Sequence, residues 1–378
     1  MPEQPAHHDV LVLGLGGMGT AALAHLAARG LSAVGVEQDD VPSLWGSSVG
    51  ETRVIRKAYF EDPRYVPLLE RAYVLWRELE TTAGEALFVR TGCKTLGPPE
   101  HETIRGVQES VALHRLPHRV LDAGEIRARF PAMAPAPGDI GVLEDDAGYL
   151  HVEACTRAHA RWAAALGADL RTRAHVVDLR VGNGEVRATL AGGDEIRAPS
   201  VVVAAGPWLA TSPALRDIAR TVPLVVERQV QLWFSRPAGD LATFVHFVGD
   251  RAYYAIPTED TLKVCRHHGG KETTPDALDR AVSAEDEEMV REYVRAHLPS
   301  VTGPVLRSRA CMYTCTPDHH YVVGRVAARP EVVILGGFSG HGYKAAAAIG
   351  EVAADLVVDG KSRLDLAMFD PGRFVGRP

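Results

Sequence analysis

Three glycines and one acidic residue have the spacing of a dinucleotide-binding site. Gly14, Gly16 and Gly19 fit the pattern G-x-G-x-x-G, and Glu37 follows about 20 residues later. In this pattern the first glycine permits a tight turn, the second lets the backbone approach a pyrophosphate, and the third lets a helix pack closely on a strand. The acid accepts hydrogen bonds from an adenosine ribose. The predicted chemistry is binding of an adenine dinucleotide, either NAD or FAD.

The elements around these residues are those that such a site needs. Residues 10–13 and residues 33–36 are apolar runs typical of strands that are buried on both faces. The segment between them predicts a helix that ends at Gly30 and whose N-terminus offers free N–H groups to phosphates. Because strand, turn, helix, strand and acid occur in this order, we predict a cofactor-binding βαβ unit rather than a cofactor-free one.

Small and basic residues follow in a turn-rich segment, residues 46–56. Gly46, Ser47 and Ser48 offer hydroxyl and N–H groups that suit close approach to a phosphate or a planar ring. Arg53 and Arg56 are three positions apart and would share a face if the segment were a helix. Spacing alone leaves a functional pair and a solvated helix face equally open.

The composition is that of an ordinary globular protein. The chain has 378 residues, 46% hydrophobic and 24% charged, which is enough for two domains. The formal charge of −7 argues against a nucleic-acid partner or an anionic membrane surface. No apolar run approaches the ~20 residues of a membrane span. The five scattered cysteines and the polar residues 1–9 predict a reducing, cytoplasmic location.

Two later regions complete the predicted architecture. Strands are expected at residues 201–205 and 332–335, and each leads into a glycine-containing turn that suits the first sheet. Residues 223–265 are rich in β-branched and aromatic side chains, which predicts an antiparallel sheet under a substrate site. Asn183-Gly184 is a hairpin signal, and residues 283–296 predict an acidic, solvated helix.

We therefore predict an α/β fold of two domains, a Rossmann-like nucleotide-binding domain and a substrate domain built on an antiparallel sheet. Both domains are discontinuous in the sequence. The predicted ranges are 1–84, 150–222 and 318–378 for the nucleotide-binding domain, and 85–149 and 223–317 for the substrate domain.

Several stretches together resemble the flavoprotein amine oxidase family of monomeric sarcosine oxidase, N-methyltryptophan oxidase and pipecolate oxidase. Beyond the N-terminal unit they are G-S-S at 46–48, T-R-V-I-R-K-A-Y at 52–59, A-G-P-W at 205–208, L-K at 262–263, C-M-Y-T at 311–314 and G-F-S-G-H-G-Y-K at 337–344. They occur in the family's order across essentially the whole chain. The last two are far more specific than the glycine triplet.

The resemblance implies FAD as the cofactor, held in that family by a thioether between a cysteine and the flavin 8α-carbon. Cys311 is the matching residue. Cys315 follows four positions later and would lie on the same side of a helical turn, but the motif favours Cys311. Without the family, a buried free thiol is the commonest state for either cysteine.

The resemblance assigns catalytic roles to Arg56, Tyr254, Lys263, His267 and Lys344. Arg56 and Lys344 match two cations that clamp the substrate carboxylate, since a guanidinium binds a carboxylate bidentately and an ammonium adds charge. Lys263 matches a lysine near the flavin ring, where positive charge stabilises superoxide during reoxidation. Tyr254 and His267 match residues that line the substrate cavity.

The resemblance and the glycine pattern together assign a larger set of residues to cofactor binding, in which Arg53 matches a residue packed near the flavin. The set is Gly14, Gly16, Gly19, Glu37, Gly46, Ser47, Ser48, Thr52, Arg53, Val176, Gly206, Trp208, Cys311, Met312, Gly340, His341, Gly342, Tyr343 and Lys344.

Some positions depart from the family pattern. Ser48 and Val49 stand where many members have histidines, and Arg266 stands where an aromatic residue is common. His268 would take the place of His267 under a one-residue shift. These differences leave the identity of the substrate open, but they do not change the expectation that the cofactor is a flavin.

The resemblance implies an FAD-dependent oxidase of a secondary α-amino acid such as sarcosine, which oxidises the C–N bond to an imine and reduces O₂ to H₂O₂. The partners are then a small amino acid and O₂, with the protein a monomer or small homo-oligomer. One alternative is an oxidase of a cyclic imino acid or an imine in a biosynthetic pathway. Others are a flavin dehydrogenase that passes electrons to a partner protein, a nicotinamide enzyme, and a non-catalytic flavin-binding protein.

Overall fold

The structure of the protein is a computed structural model that describes residues 6–374. Within this range the α-helices are α1 (Gly17–Ala28), α2 (Val66–Ala83), α3 (Glu102–His114), α4 (Ala123–Arg129), α5 (Val152–Ala165), α6 (Arg216–Ala219), α7 (Ala284–His297) and α8 (Ala346–Asp359). No helix in this range is both long enough and apolar enough to cross a membrane.

The strands of the same range are β1 (Ala6–His7), β2 (Val10–Leu13), β3 (Ala33–Val36), β4 (Thr52–Ile55), β5 (Phe88–Arg90), β6 (Cys93–Gly97), β7 (Arg119–Asp122), β8 (Ile140–Glu144), β9 (Gly148–His151), β10 (Asp169–Arg171), β11 (Val176–Gly182), β12 (Glu185–Leu190), β13 (Glu195–Ala198), β14 (Val201–Val203), β15 (Val225–Ser235), β16 (Thr243–Val248), β17 (Arg251–Pro257), β18 (Thr261–His267), β19 (Glu272–Thr273), β20 (Arg307–Cys315), β21 (Val322–Val326) and β22 (Arg329–Gly336).

The predicted βαβ unit lies at the centre of a six-stranded sheet of order β10-β3-β2-β14-β22-β21. All neighbours pair in parallel except β21 with β22. Strands β2, β3 and β14 are buried along their whole length, as expected for parallel strands covered on both faces. Helices α1, α5 and α8 pack together on one face. The small sheet β1-β13-β12-β11 shares an apolar core with the other face.

A nine-stranded sheet forms the second large element. Its order is β19-β15-β18-β17-β16-β6-β8-β7, with β20 added to β15. Strands β15, β17 and β18 pair antiparallel, which confirms the sheet predicted for residues 223–265. The pairing of β16 with β6 is parallel and brings together segments that are distant in sequence. The domain ranges given above stay a prediction.

Several local predictions are confirmed. Asn183 and Gly184 have φ of 55° and 74° in the turn between antiparallel β11 and β12, as a two-residue hairpin with Asn-Gly requires. Helix α7 matches the acidic helix, and the side chain of Ser283 caps its N-terminus. The α/β fold class is also confirmed.

Two residue pairs that would share a face on a helix lie outside helices in the structure. Arg53 lies in strand β4, which pairs with β9, so Arg53 and Arg56 do not share a helix face. Cys311 and Cys315 both lie in β20, which pairs with β15 along its whole length. Residues four apart in a strand share a face but are separated by about 13 Å, so the two thiols have different surroundings.

Candidate active site

A cavity opens where β2, β3, β14 and β22 end. The carboxyl ends of parallel strands are where open α/β sheets bind their ligands. The predicted cofactor-binding residues that line this cavity are Gly14, Gly16, Glu37, Gly46, Ser47, Ser48, Arg53, Val176, Gly206, Trp208, Met312, Gly340, Gly342 and Tyr343.

The three glycines have the steric roles that their spacing predicts. Gly14 has φ of 91°, and a Cβ added there would lie 2.7 Å from the carbonyl oxygen of Ala204. A Cβ at Gly19 would lie 1.7 Å from the carbonyl oxygen of Gly14, because α1 approaches the end of β2 so closely. At Gly16 the nearest atom would be Oγ of Ser48 at 3.8 Å, which leaves its backbone accessible from the cavity.

Glu37 is fixed at the end of β3. Its Oε2 accepts a hydrogen bond from the backbone N–H of Leu15 at 2.8 Å, and its Oε1 accepts one from Asp39 N–H at 3.2 Å. Burial raises the pKa of this carboxyl, and the two backbone donors oppose the shift. The carboxylate therefore has a set orientation in the cavity wall and lone pairs left for a ribose hydroxyl.

Unpaired polar atoms in the cavity wall fit a dinucleotide. Oγ of Ser47 and Oγ1 of Thr314 are buried and have no hydrogen-bond partner among the described residues. Buried hydroxyls without partners are costly, so a polar ligand is expected to satisfy them. Helix α1 begins at Gly17, whose N–H donates to Oγ of Ser48 at 3.2 Å, and the first residues of the helix line the same cavity, where a helix N-terminus favours a phosphate.

A second cavity adjoins the first, and Arg53, Gly340 and Tyr343 line both. It contains four of the five predicted catalytic residues. Its lining residues are Arg53, Val54, Arg56, Phe60, Glu61, Val245, Tyr254, His267, Gly340, His341, Tyr343 and Lys344.

Two cations converge in this second cavity, although both are buried. Arg56 is 3% exposed and Lys344 is 5% exposed. Nζ of Lys344 donates hydrogen bonds to the carbonyl oxygen of His341 and, at 3.3 Å, to the hydroxyl of Tyr59. Burial and, to a smaller extent, the charge of Arg56 lower the pKa of Lys344 to about 7. The cavity therefore carries positive charge that is poorly solvated.

Glu61 is the acid that faces these cations. Its Oε2 lies 3.8 Å from the guanidinium of Arg56, and its Oε1 lies 3.8 Å from Nδ1 of His341. Oε2 makes no hydrogen bond in the described part of the chain. The sequence interpretation missed Glu61. It could have been sought because buried cations require a compensating acid nearby.

His267, and not His268, lines the second cavity. Nδ1 of His267 lies 3.2 Å from the hydroxyl of Tyr313. Burial, reinforced by His268, lowers the pKa of His267 well below its usual value, so the imidazole is neutral. Tyr254 is buried beside it, with ring centroids 6.2 Å apart. Together these groups form a wall that carries no charge at neutral pH.

Lys263 does not line either cavity described here. Its Nζ is fully buried and donates hydrogen bonds to the carbonyl oxygens of Gly50, at 2.9 Å, and Thr52. Burial and, to a smaller extent, the charge of Arg53 lower its pKa to about 7. The side chain therefore lies under the segment that lines the dinucleotide cavity.

Gly19, Thr52 and Cys311 also lie outside the lining of the two cavities in the described range. Cys311 pairs with Gln229 in the β20–β15 ladder and is 1% exposed. Burial raises the pKa of its thiol, whereas the nearby charges of Arg53 and Lys263 lower it. Its neighbour Met312 does reach the cavity.

Known proteins resemble the chain over nearly its whole length. Residues 9–356 match the family model described as FAD dependent oxidoreductase. The chain is 34% identical to monomeric sarcosine oxidase of Streptomyces avermitilis, over 98% of this chain and 99% of the relative. It is 32% identical to N-methyl-L-tryptophan oxidase of Yersinia pestis, over 97% and 99%.

Solved structures with similar folds include, by title, an amino acid oxidase and an amino acid dehydrogenase. One is the open form of NikD, an unusual amino acid oxidase essential for nikkomycin biosynthesis, with a TM-score of 0.85 and 21% identity over 97% of each chain. The other is L-proline dehydrogenase from P. horikoshii, with a TM-score of 0.86 and 25% identity over 98% of each chain. The protein belongs to the family of FAD-dependent oxidoreductases.

Proposed function

We propose that the protein is an FAD-dependent oxidase of a secondary α-amino acid, with sarcosine or another N-methyl amino acid as substrate and O₂ as acceptor. The products are an imine, which water hydrolyses, and H₂O₂. The observation that carries the proposal is the pair of buried cations, Arg56 and Lys344, in a cavity that adjoins the dinucleotide cavity. The names of the similar proteins, sarcosine oxidase and N-methyl-L-tryptophan oxidase, support the same substrate class.

The two cations explain why the substrate carries a carboxylate. A guanidinium forms paired hydrogen bonds with a carboxylate, and an ammonium adds a third charge-assisted bond. The binding also compensates two charges that burial leaves poorly solvated. The same positive field disfavours a protonated amine, so the substrate nitrogen is expected to bind in its neutral, oxidisable form.

The remaining wall orients the substrate and excludes water. Phe60, Val245 and Tyr254 supply an apolar lining that suits an N-methyl group or an apolar side chain. The neutral His267 is held by Tyr313, so that it adds no charge near the reacting C–H bond. When bound, FAD supplies the two-electron acceptor for the substrate and the donor for O₂. The protein contributes position and electrostatics.

We also propose that FAD is attached covalently through Cys311. A thiolate is the nucleophile in such chemistry, and the cations Arg53 and Lys263 favour the thiolate form of Cys311. Burial raises the pKa of both thiols, but the charged neighbour of Cys315 is the carboxylate of Glu227, and burial and this carboxylate together raise the pKa of Cys315 to about 12.

The test of the function is anaerobic reduction of the purified flavoprotein by single compounds, followed by flavin absorbance. Sarcosine and larger N-methyl amino acids are expected to bleach the flavin, whereas dimethylamine, which lacks a carboxylate, is not. Reduction by pipecolate or proline alone would instead favour a cyclic substrate. Re-exposure to air should restore the colour with release of H₂O₂, and a persistently bleached flavin would contradict the oxidase assignment.

A further inference from the structure

Two histidines and one cysteine form a cluster outside both cavities. A nitrogen of His268, the sulfur of Cys315 and a nitrogen of His319 all lie within 4.8 Å of one another. Cys315 is buried, His268 is partly buried and His319 is exposed. None of the three has a role in the function proposed above, and the group has the donor atoms of a metal site.

Three separate elements bring these side chains together. His268 directly follows β18, Cys315 ends β20, and His319 lies in the turn that leads to β21. Strands β18 and β20 both pair with β15. His268 and His319 have φ of 61° and 57°, a left-handed backbone conformation that is uncommon for residues other than glycine. Such conformations persist where the surrounding structure holds them and are frequent at functional sites.

Glu227, on β15, adds negative charge to the cluster. Its Oε2 lies 3.6 Å from Nδ1 of His268, and this nitrogen has no hydrogen-bond partner among the described residues. A carboxylate beside an imidazole nitrogen is a common arrangement for orienting a metal-bound histidine. The same carboxylate disfavours a free thiolate at Cys315, whereas a bound cation would favour one.

We propose that His268, Cys315 and His319 bind a zinc ion. One thiolate and two imidazoles are ligands that zinc prefers, and a fourth, open position is left for water because His319 is exposed. Zinc–ligand distances of about 2.0–2.3 Å require the three ligand atoms to approach to roughly 3.3–3.8 Å. Small side-chain movements achieve this. Binding displaces the proton of Cys315 into solvent as the sulfur–zinc bond forms.

The zinc site lies outside the second cavity, but two of its histidines contact residues that line this cavity. The rings of His268 and His267 lie with centroids 4.2 Å apart, and the carbonyl oxygen of His319 lies 2.9 Å from Nε2 of His341. His267 and His341 both line the cavity. A bound zinc ion would therefore fix the backbone that carries one cavity residue and the hydrogen-bond partner of another.

The test is zinc binding by the intact flavoprotein, purified without a polyhistidine tag and stripped of metal with a chelator. After addition of zinc chloride and gel filtration, elemental analysis should find close to one zinc per chain. The Kd, measured by competition with a chromophoric chelator, should rise at least tenfold in Cys315→Ala and in His319→Ala. Zinc should also raise the Tm of the wild type but not of these variants.

Matched controls are available in the same chain. Cys155→Ala removes another buried free cysteine, and His118→Ala removes another exposed histidine, so both should bind zinc like the wild type. His319→Ala changes an exposed side chain in a turn, so this variant should keep the fold and the flavin. Far-UV circular dichroism measures the fold, and flavin absorbance measures the flavin content. Absence of stoichiometric zinc in the wild type, or an unchanged Kd in either cluster variant, would overturn the proposal.

Discussion

Arg56 and Lys344 share one aromatic ring. The guanidinium carbon of Arg56 and Nζ of Lys344 each lie 5.0 Å from the centroid of Tyr59. The ring provides favourable cation–π contacts to both charges, but their mutual repulsion contributes to the lowered pKa of Lys344. A bound carboxylate would relieve this repulsion, so ligand binding and protonation of Lys344 should be linked.

The first prediction follows from this linkage. Because the pKa of Lys344 is about 7 in the unliganded protein, its ammonium is lost as the pH rises above that value. The affinity for a carboxylate such as acetate should therefore fall between pH 7 and pH 9, by at most about tenfold per pH unit. Isothermal titration calorimetry at several pH values measures this. Lys344→Met should bind acetate weakly at all pH values, and a wild-type affinity that does not vary with pH would contradict the linkage.

The second prediction concerns Arg56 in turnover. Arg56→Ala removes the bidentate partner of the substrate carboxylate and leaves Glu61 without its nearest cation. We expect kcat/KM for the best N-methyl amino acid to fall by the equivalent of ~2–5 kcal/mol, the usual loss when a desolvated charge pair is broken. Lys57→Ala is the control, since Lys57 pairs with Asp146 outside the cavity. Equal losses in both variants would show that the effect is not due to the carboxylate clamp.

The parts of the fold that could be predicted are those fixed by local sequence. The βαβ unit is one, because Gly14 and Gly19 tolerate contacts that any side chain would block. The hairpin at Asn183-Gly184 is another, because its turn requires two positive φ values. In both cases the physical requirement lies within a short segment, so the residue types alone reveal it.

The parts that could not be predicted depend on contacts between distant segments. Nζ of Lys263 donates to the carbonyl oxygens of Gly50 and Thr52, more than 200 positions away, and nothing in the sequence near Lys263 specifies this. The position of Glu61 in the second cavity likewise depends on how the segment after β4 lies against residues 340–344. The sequence interpretation also did not assign a strand to the segment around Cys311. That segment is extended because it pairs with β15, which is distant in the sequence.

The third prediction separates the two cysteines of β20. Burial raises the pKa of both thiols, but Cys311 has cationic neighbours and Cys315 an anionic one, so Cys311 is the better suited to form a thioether. Acid-precipitated wild-type protein should remain yellow. Cys311→Ala should release its flavin into the supernatant, whereas Cys315→Ala should keep it in the pellet. A colourless pellet from flavin-loaded wild type would disprove covalent attachment, and a yellow pellet from Cys311→Ala would assign it to another residue.

The fourth prediction concerns Lys94, a buried lysine away from both cavities. Its Nζ lies 3.7 Å from the centroid of the Phe130 ring, and burial lowers its pKa to about 7. Unfolded, the same lysine has a pKa of about 10.4, so between these values the unfolded chain binds a proton that the folded chain does not. Stability should therefore rise with pH in this window, by at most about 1.4 kcal/mol per pH unit for this group.

Lys94→Met should remove this contribution. Urea denaturation at pH 6, 7, 8 and 9 is expected to show a variant that gains less stability with pH than the wild type does. The lowered pKa values of Lys263 and Lys344 also make stability rise with pH, but both lysines are present in the wild type and in the variant. The difference between the two stability curves therefore reports Lys94 alone. The exposed Lys361 provides a surface control as Lys361→Met. Parallel stability curves for wild type and Lys94→Met would contradict the prediction.

The last prediction assigns Lys263 to the reaction with O₂. Its ammonium lies beneath the segment that lines the dinucleotide cavity and close enough to Arg53 and Cys311 for their charges to shift its pKa. Reduction of O₂ builds negative charge, which a fixed ammonium stabilises, whereas oxidation of the amine needs no such charge. Lys263→Met should slow reoxidation at least tenfold, about 1.4 kcal/mol, and slow anaerobic reduction far less. Stopped-flow absorbance measures each half-reaction, with Lys94→Met as the buried-lysine control. Equal slowing of both half-reactions would instead indicate that Lys263 only supports the backbone at Gly50 and Thr52.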